Sequence, residues 1–142
     1  VINVDTSVWS LSFRRRNPSQ KPPQEVQVLQ KLIIGDGYLA VPGVVLQELL
    51  SGLREESQFT RLRTLIEGFP ILLANEEDHL QAAKIANICR KNGVATTSID
   101  NLIAAIAIER NALLFTLDQD FYHMAQYIPL ELFQLPAPIG EP

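Results

Sequence analysis

A chain of 142 residues, 46% of them apolar, is long enough to enclose one hydrophobic core and short for two. No apolar run reaches bilayer length, and the start VINVDTSVW lacks the charged and apolar regions of a secretory leader, so the expectation is a soluble, cytoplasmic protein. The formal net charge of −4 argues against a broad polyanion-binding face, although Arg14, Arg15, Arg16 and Lys21 form a local basic cluster. The lone Cys89 has no disulfide partner and is expected to be a small buried hydrophobe, and no Cys/His set has zinc spacing.

Taken in chain order, VINVD is a short strand that stops at Asp5, where Thr6 and Ser7 begin a helix. NPSQKPP is a loop, and its paired prolines suit the start of a helix carrying Val26, Leu29 and Ile33 on one face and stopping near Gly35. YLAVP from Tyr38 is a second strand. Gly43 to Leu53 reads as a helix halted around Gly52, with Glu48 about a turn and a half inside it. Phe59, Leu62 and Ile66 mark a further helix, closed by Gly68 and Pro70, and PILLA is a third strand. Asn75 caps a helix through Arg90 whose first turn holds Glu76, Glu77 and Asp78, where the helix dipole favours acids. After a stop at Gly93, Thr97 or Ser98 caps IDNLIAAIAIERN, the most buried helix expected. ALLFTLD is a fourth strand, DFYHMAQY a short helix and LELF a last short strand. The expected organisation is one domain over residues 1–135 with a loose Pro-rich tail at 136–142.

Strands alternating with helices predict an α/β domain built on a parallel sheet. Strand ends and the starts of the following helices share one rim of such a sheet. Asp5 and Asp118 end strands, Asp100 lies in the first turn of a helix and Glu48 in the first two turns of another, so all four face that rim. Any one of them alone is explained equally well by capping. Glu48 is the least easily explained so, because Leu46, Leu49 and Leu50 surround it. Four ionised carboxylates on one rim repel by about 1 to 4 kcal/mol per close pair and need protons or cations. All-oxygen donors select hard ions, Mg²⁺ or Mn²⁺, and such ions suit phosphodiester hydrolysis by activated water.

Asp5-Thr6-Ser7, Pro42 with Glu48, the Asp100 helix with IAAIA, and Thr116-Leu117-Asp118-Gln119-Asp120-Phe121 together resemble the PIN domain of VapC toxins over nearly the whole chain. The resemblance implies a three-layer α/β/α domain with a short, mostly parallel central sheet. It also implies a nuclease that binds Mg²⁺ or Mn²⁺, cleaves RNA to 5′-phosphate and 3′-hydroxyl ends, dimerises, and is inhibited by a VapB-like antitoxin. Carried over, Asp5, Glu48, Asp100 and Asp118 match the acidic quartet, and Thr6 and Thr116 match hydroxyls that support it. Asp120 is either an outer ligand of metal or water, or the cap of the DFYHMAQY helix.

Other residues carry less. Arg14, Arg15, Arg16 and Lys21 are either phosphate contacts for RNA or a solvated loop. Trp9 is expected in the core, and His79 and His123 lie away from the acidic motifs and are given no catalytic role. The helices around Val26 to Ile34 and Phe59 to Ile66 either cover the sheet or present a partner surface. A phosphatase or phosphoacceptor domain is disfavoured, because the first strand ends Asp-Thr-Ser rather than in paired acids. A PIN-domain nuclease of RNA maturation and a catalytically idle PIN-like binding module remain open.

Overall fold

The computed structural model describes residues 1–14, 17–35 and 37–136. Arg15, Arg16 and the Pro-rich tail beyond Pro136 therefore lie outside the described residues.

The elements run β1 (Ile2–Val4), α1 (Thr6–Ser12), α2 (Gln24–Ile34), β2 (Leu39–Pro42), α3 (Gly43–Ser51), α4 (Glu56–Ile66), β3 (Ile71–Leu72), α5 (Glu76–Lys91), α6 (Ser98–Glu109), β4 (Leu113–Phe115) and α7 (Gln119–Met124). The sheet order is β3-β2-β1-β4 and every pairing is parallel, with Ile2 opposite both Leu39 and Leu113 and Val41 opposite Ile71. All four strands thus end at one edge. The chain steps from β1 to β2 to β3 in one direction, then crosses back over the sheet to β4 on the far side of β1. Right-handed crossovers then put α1 to α4 on one face and α5 with α6 on the other, the α/β/α arrangement expected.

Both faces need apolar cover, which explains the fully buried strand residues Val4, Val41 and Leu114. The central helix α6 buries Ile103, Ala104, Ala105, Ile106 and Ala107 without a break, its alanines allowing close approach to neighbouring elements. Burying a side chain such as Ile85, Ile103 or Phe121 contributes about 1.5–3 kcal/mol, so this layer supplies much of the cohesion. Cys89 and Trp9 are core residues, as expected.

The turn between α5 and α6 is tightly specified. Gly93 adopts φ +75°, the Val94 N–H bonds the Cys89 carbonyl at 2.8 Å, and the Gly93 N–H bonds the Arg90 carbonyl at 3.1 Å. This paired closure of a helix end needs a left-handed residue that glycine supplies at little cost. It sets where α6 begins, and so where Asp100 stands.

Several elements are shorter than expected, among them ALLFTLD, of which only Leu113–Phe115 is strand. The helix read as Gly43 to Leu53 ends at Ser51. PILLA contributes only Ile71 and Leu72, an edge strand preceded by Pro70, which has no N–H to extend the ladder. LELF is reduced to one bridge, Leu114 to Leu132, held by bonds of 3.0 Å from the Leu114 N–H to the Glu131 carbonyl and 2.8 Å from the Phe133 N–H to the Leu114 carbonyl. The faces of α2 and α4 divide: Val26, Leu29, Leu62 and Ile66 are buried, whereas Ile34 and Leu65 are exposed.

Candidate metal centre

Asp5 leaves the end of β1 and caps α1, and its carboxylate is held on one side only. Oδ2 accepts the Ser7 hydroxyl at 2.8 Å, the Thr116 hydroxyl at 2.8 Å and, more weakly, the Ser7 N–H at 3.4 Å. Each hydroxyl is fixed in turn from behind. Ser7 Oγ accepts the Leu117 N–H at 2.9 Å, and Thr116 Oγ1 accepts the Asp118 N–H at 3.0 Å. With their protons directed at Asp5 and their lone pairs occupied by backbone, the two hydroxyls leave Asp5 little rotational freedom. The residue is only 4% exposed, and its Oδ1 has no hydrogen-bond partner among the described residues. A carboxylate with one locked oxygen and one open oxygen is suited to a cation.

Glu48 is placed by α3, which begins directly after β2. Its side chain is on the exposed side of that helix, between half-buried Leu46 and buried Leu49, so its position is not explained by burial among leucines. The Thr6 hydroxyl donates to Glu48 Oε1 at 2.8 Å, tying the first turn of α1 to α3.

The other acids come from α6 and the end of β4. Thr97 caps α6 by accepting the Asp100 N–H at 3.1 Å, which resolves the choice between Thr97 and Ser98. Asp118 caps α7, its Oδ1 accepting the Asp120 N–H at 2.9 Å. The capping role considered for Asp120 therefore belongs to Asp118, which does not end the strand as expected but lies three residues beyond the end of β4 at Phe115, where the chain turns into α7. Asp100, Asp118 and Asp120 each bring a carboxylate oxygen within 4.8 Å of the others. Asp5 and Glu48 stand outside that tight set. Burial, opposed by the Thr97 hydroxyl and reinforced by repulsion from Asp118, Asp5 and Asp120, raises the Asp100 carboxyl above the usual carboxylate range. The repulsion places Asp5 within electrostatic reach of the cluster. An all-oxygen donor set with unrelieved repulsion fits a hard divalent cation.

The basic residues do not join the rim. Arg14 and Lys21 are exposed, past the end of α1 and in the following loop, with no ion pair to the acids among the described residues. His79 and His123 are exposed on α5 and α7. Two polar features were not foreseen. Ser7 is as important to Asp5 as Thr116, and the signal was present as a hydroxyl two residues after a strand-ending Asp, an ordinary local capping arrangement. Asp78, fully buried, pairs through both oxygens with Arg110 at 2.8 and 2.9 Å, and no spacing rule links residues 32 positions apart.

A four-stranded parallel sheet whose carboxyl edge gathers strand-end and helix-start acids defines an α/β domain with a candidate metal centre. The PIN domain family profile matches residues 2–127, and the chain belongs to that family. It is 32% identical over 133 residues to VapC ribonuclease Mb1587 of Mycobacterium bovis, covering 92% of this chain and 96% of the relative, and equally similar to Ribonuclease VapC11 of Mycobacterium tuberculosis. Among solved structures the fold is shared with FitAcB from Neisseria gonorrhoeae, at 23% identity and TM-score 0.73 over 94% of this chain and 97% of that one. It is also shared with VapBC-1 from nontypeable Haemophilus influenzae, at 20% identity and TM-score 0.74 over 94% and 97%. Among the described residues no helix is long and apolar enough to cross a membrane.

Proposed function

We propose that this chain is a divalent-metal-dependent endoribonuclease, the toxin of a toxin–antitoxin pair. The observation that carries the reading is the convergence of Asp100, Asp118 and Asp120 within 4.8 Å beside an Asp5 whose outer oxygen is open. The ribonuclease names of its relatives at 32% identity support RNA as the substrate. The toxin–antitoxin complexes that share its fold support a VapB-like antitoxin as partner, and the homodimer is proposed from the family resemblance alone.

Mg²⁺ or Mn²⁺ is the ion the donors favour, and when bound it neutralises phosphoryl oxygens and eases deprotonation of water. The chain's own contribution is positioning. Ser7 and Thr116 hold Asp5, Thr6 holds Glu48, and the Asp120 N–H holds Asp118, so the donors are in place before substrate arrives. In the hydrolysis, a water oxygen bonds to phosphorus, the P–O3′ bond breaks and the 3′-oxygen takes a proton. The products are a 5′-phosphate and a 3′-hydroxyl.

The reading is tested with a panel of tRNA and rRNA substrates. The wild-type protein is expected to cleave with Mg²⁺ and to stop on chelation, and Asp5→Asn to lose cleavage while keeping the native circular dichroism spectrum. Undiminished cleavage by Asp5→Asn overturns the site.

A further inference from the structure

Beside the metal centre, on the side of α6 turned toward α5, two adjoining clefts of about 320 and about 280 Å³ share Ala86, Ser98 and Asn101. The smaller is walled by Arg90, Val94, Thr96, Ser98 and Asn101. Its position follows from the Gly93 turn, which ends α5 at Arg90 and Lys91 and brings the start of α6 against them.

We propose that this cleft is a phosphate-binding subsite that takes an RNA backbone phosphate neighbouring the one being hydrolysed. The inference rests on the ribonuclease reading above for its source of phosphate, but its chemistry stands on four groups of its own. First, the N–H groups of Ser98 and Ile99 have no protein acceptor among the described residues, whereas those of Asp100 and Asn101 are taken by the Thr97 hydroxyl and carbonyl. Two open amides at the start of a 12-residue helix attract an anion. Second, Asn101 is only 5% exposed and borders both clefts, yet its side chain makes no hydrogen bond among the described residues and its Oδ1 is fully buried. The NH₂ group is the part of this amide that is not enclosed and is the donor a phosphate oxygen can take, whereas the enclosed Oδ1 is an acceptor that a phosphate does not satisfy. Third, Arg90 spends one N–H on Asn87, at 3.1 Å, and has no ion pair among the described residues, leaving the rest of its planar donor fork for an oxyanion. Fourth, the Thr96 and Ser98 hydroxyls add short donors.

The location suits a strand crossing the rim. Asp100 and Asn101 are consecutive on α6 and diverge by about 100° around it, so one faces the acids while the next faces the cleft. A nucleotide chain held at the acids by metal would pass over the start of α6 with an adjacent phosphate beside Arg90. This also places a cation next to the site in a chain of net charge −4.

The test has two arms. In metal-free buffer, inorganic phosphate is titrated into ¹⁵N-labelled protein with chloride as control. Saturable shifts are expected at the Ser98 and Ile99 amides and the Asn101 side-chain NH₂, with Arg90→Gln and Asn101→Leu each binding phosphate about tenfold more weakly. In the second arm, Mg²⁺-dependent cleavage of an RNA oligonucleotide is followed against salt. Arg90→Gln is expected to raise KM several-fold more than it lowers kcat and to reduce the salt slope by about one. A flat phosphate titration, or an unchanged KM and salt slope in an active enzyme, overturns the subsite while the ribonuclease reading stands. Wild-type protein that cleaves no RNA but shows the phosphate shifts overturns the ribonuclease reading and keeps the anion site.

Discussion

The Thr116 hydroxyl donates to Asp5 Oδ2 at 2.8 Å across 111 residues, and Thr116 Oγ1 itself accepts the Asp118 N–H at 3.0 Å. One side chain, 4% exposed, therefore couples the acid ending β1 to the acid following β4. Thr116→Val keeps the shape and removes both bonds. The expected result is a kcat for RNA cleavage lower by about 10–100-fold, from an Asp5 no longer held in register. A stability loss of about 1–3 kcal/mol should accompany it, because the Asp118 N–H and Asp5 Oδ2 are left short of partners. Thr116→Ser should restore most of both. Urea unfolding and steady-state cleavage check this, and a Val variant at the wild-type rate would remove Thr116 from the site.

Asp78 and Arg110 tie the first turn of α5 to the end of α6, and Arg110 also donates to the Leu73 carbonyl at 3.2 Å. The Arg110 hydrogen bond, outweighing burial, lowers the Asp78 carboxyl below its ordinary range. A lowered carboxyl contributes stability that is complete above the unfolded value of about 4 and disappears as pH falls through the folded value. Removing one partner of a buried pair costs about 3–5 kcal/mol, and the partial exposure of Arg110 places the expected loss for Asp78→Ala at the lower end. Urea midpoints at pH 7 and pH 3 should differ less in Asp78→Ala than in the wild type. An equal difference would assign the acid sensitivity to other carboxylates.

That pair marks a boundary of what sequence pattern carries. Asp5 and Asp118 were legible because each stands where an apolar run of strand character stops and a capping residue starts a helix, a local change of period. The burial of α6 was legible from IDNLIAAIAIERN, and the cap at Asn75 from the acids behind it. Asp78, read there as a first-turn acid, indeed completes the reciprocal cap by accepting the Asn75 N–H at 2.9 Å, yet its second role depends on Arg110 and on tertiary packing. Ser7 was passed over for the opposite reason. Its bond to Asp5 is local, but its function appears only when Leu117 arrives from the far end of the chain. Asp120 had two local readings, and only the geometry of α7 gave the cap to Asp118.

Asp100 exchanges stability for a charge. Burial first, and then repulsion from Asp118, Asp5 and Asp120, raise its carboxyl. A raised carboxyl binds its proton more readily folded than unfolded, so the ionised form penalises the metal-free fold at neutral pH. Asp100→Asn is therefore expected to raise the metal-free Tm by roughly 2–4 °C for each kcal/mol relieved. The same change should abolish the Tm increase that Mg²⁺ gives the wild type. Calorimetry with and without Mg²⁺ checks both signs, and a variant less stable without metal would show that Asp100 makes a structural contact.

Asn3 presents the same question inside the sheet. It sits in β1 opposite Ala40 and Leu114, is fully buried, and neither its Oδ1 nor its Nδ2 has a partner among the described residues. An amide buried in this way costs about 1–3 kcal/mol, and a strand interior favours a β-branched residue. Asn3→Val is expected to raise the unfolding free energy by about 1–2 kcal/mol in urea titrations. Alternation along β1 sets Asn3 on the same side as Asp5, so cleavage should be measured in parallel. Greater stability at an unchanged rate would make Asn3 a core position that tolerates an unpaired amide. Lower stability would mean that ordered water satisfies both ends, and a slower rate with it would extend the hydrogen-bonded support of Asp5 one pleat deeper into the sheet.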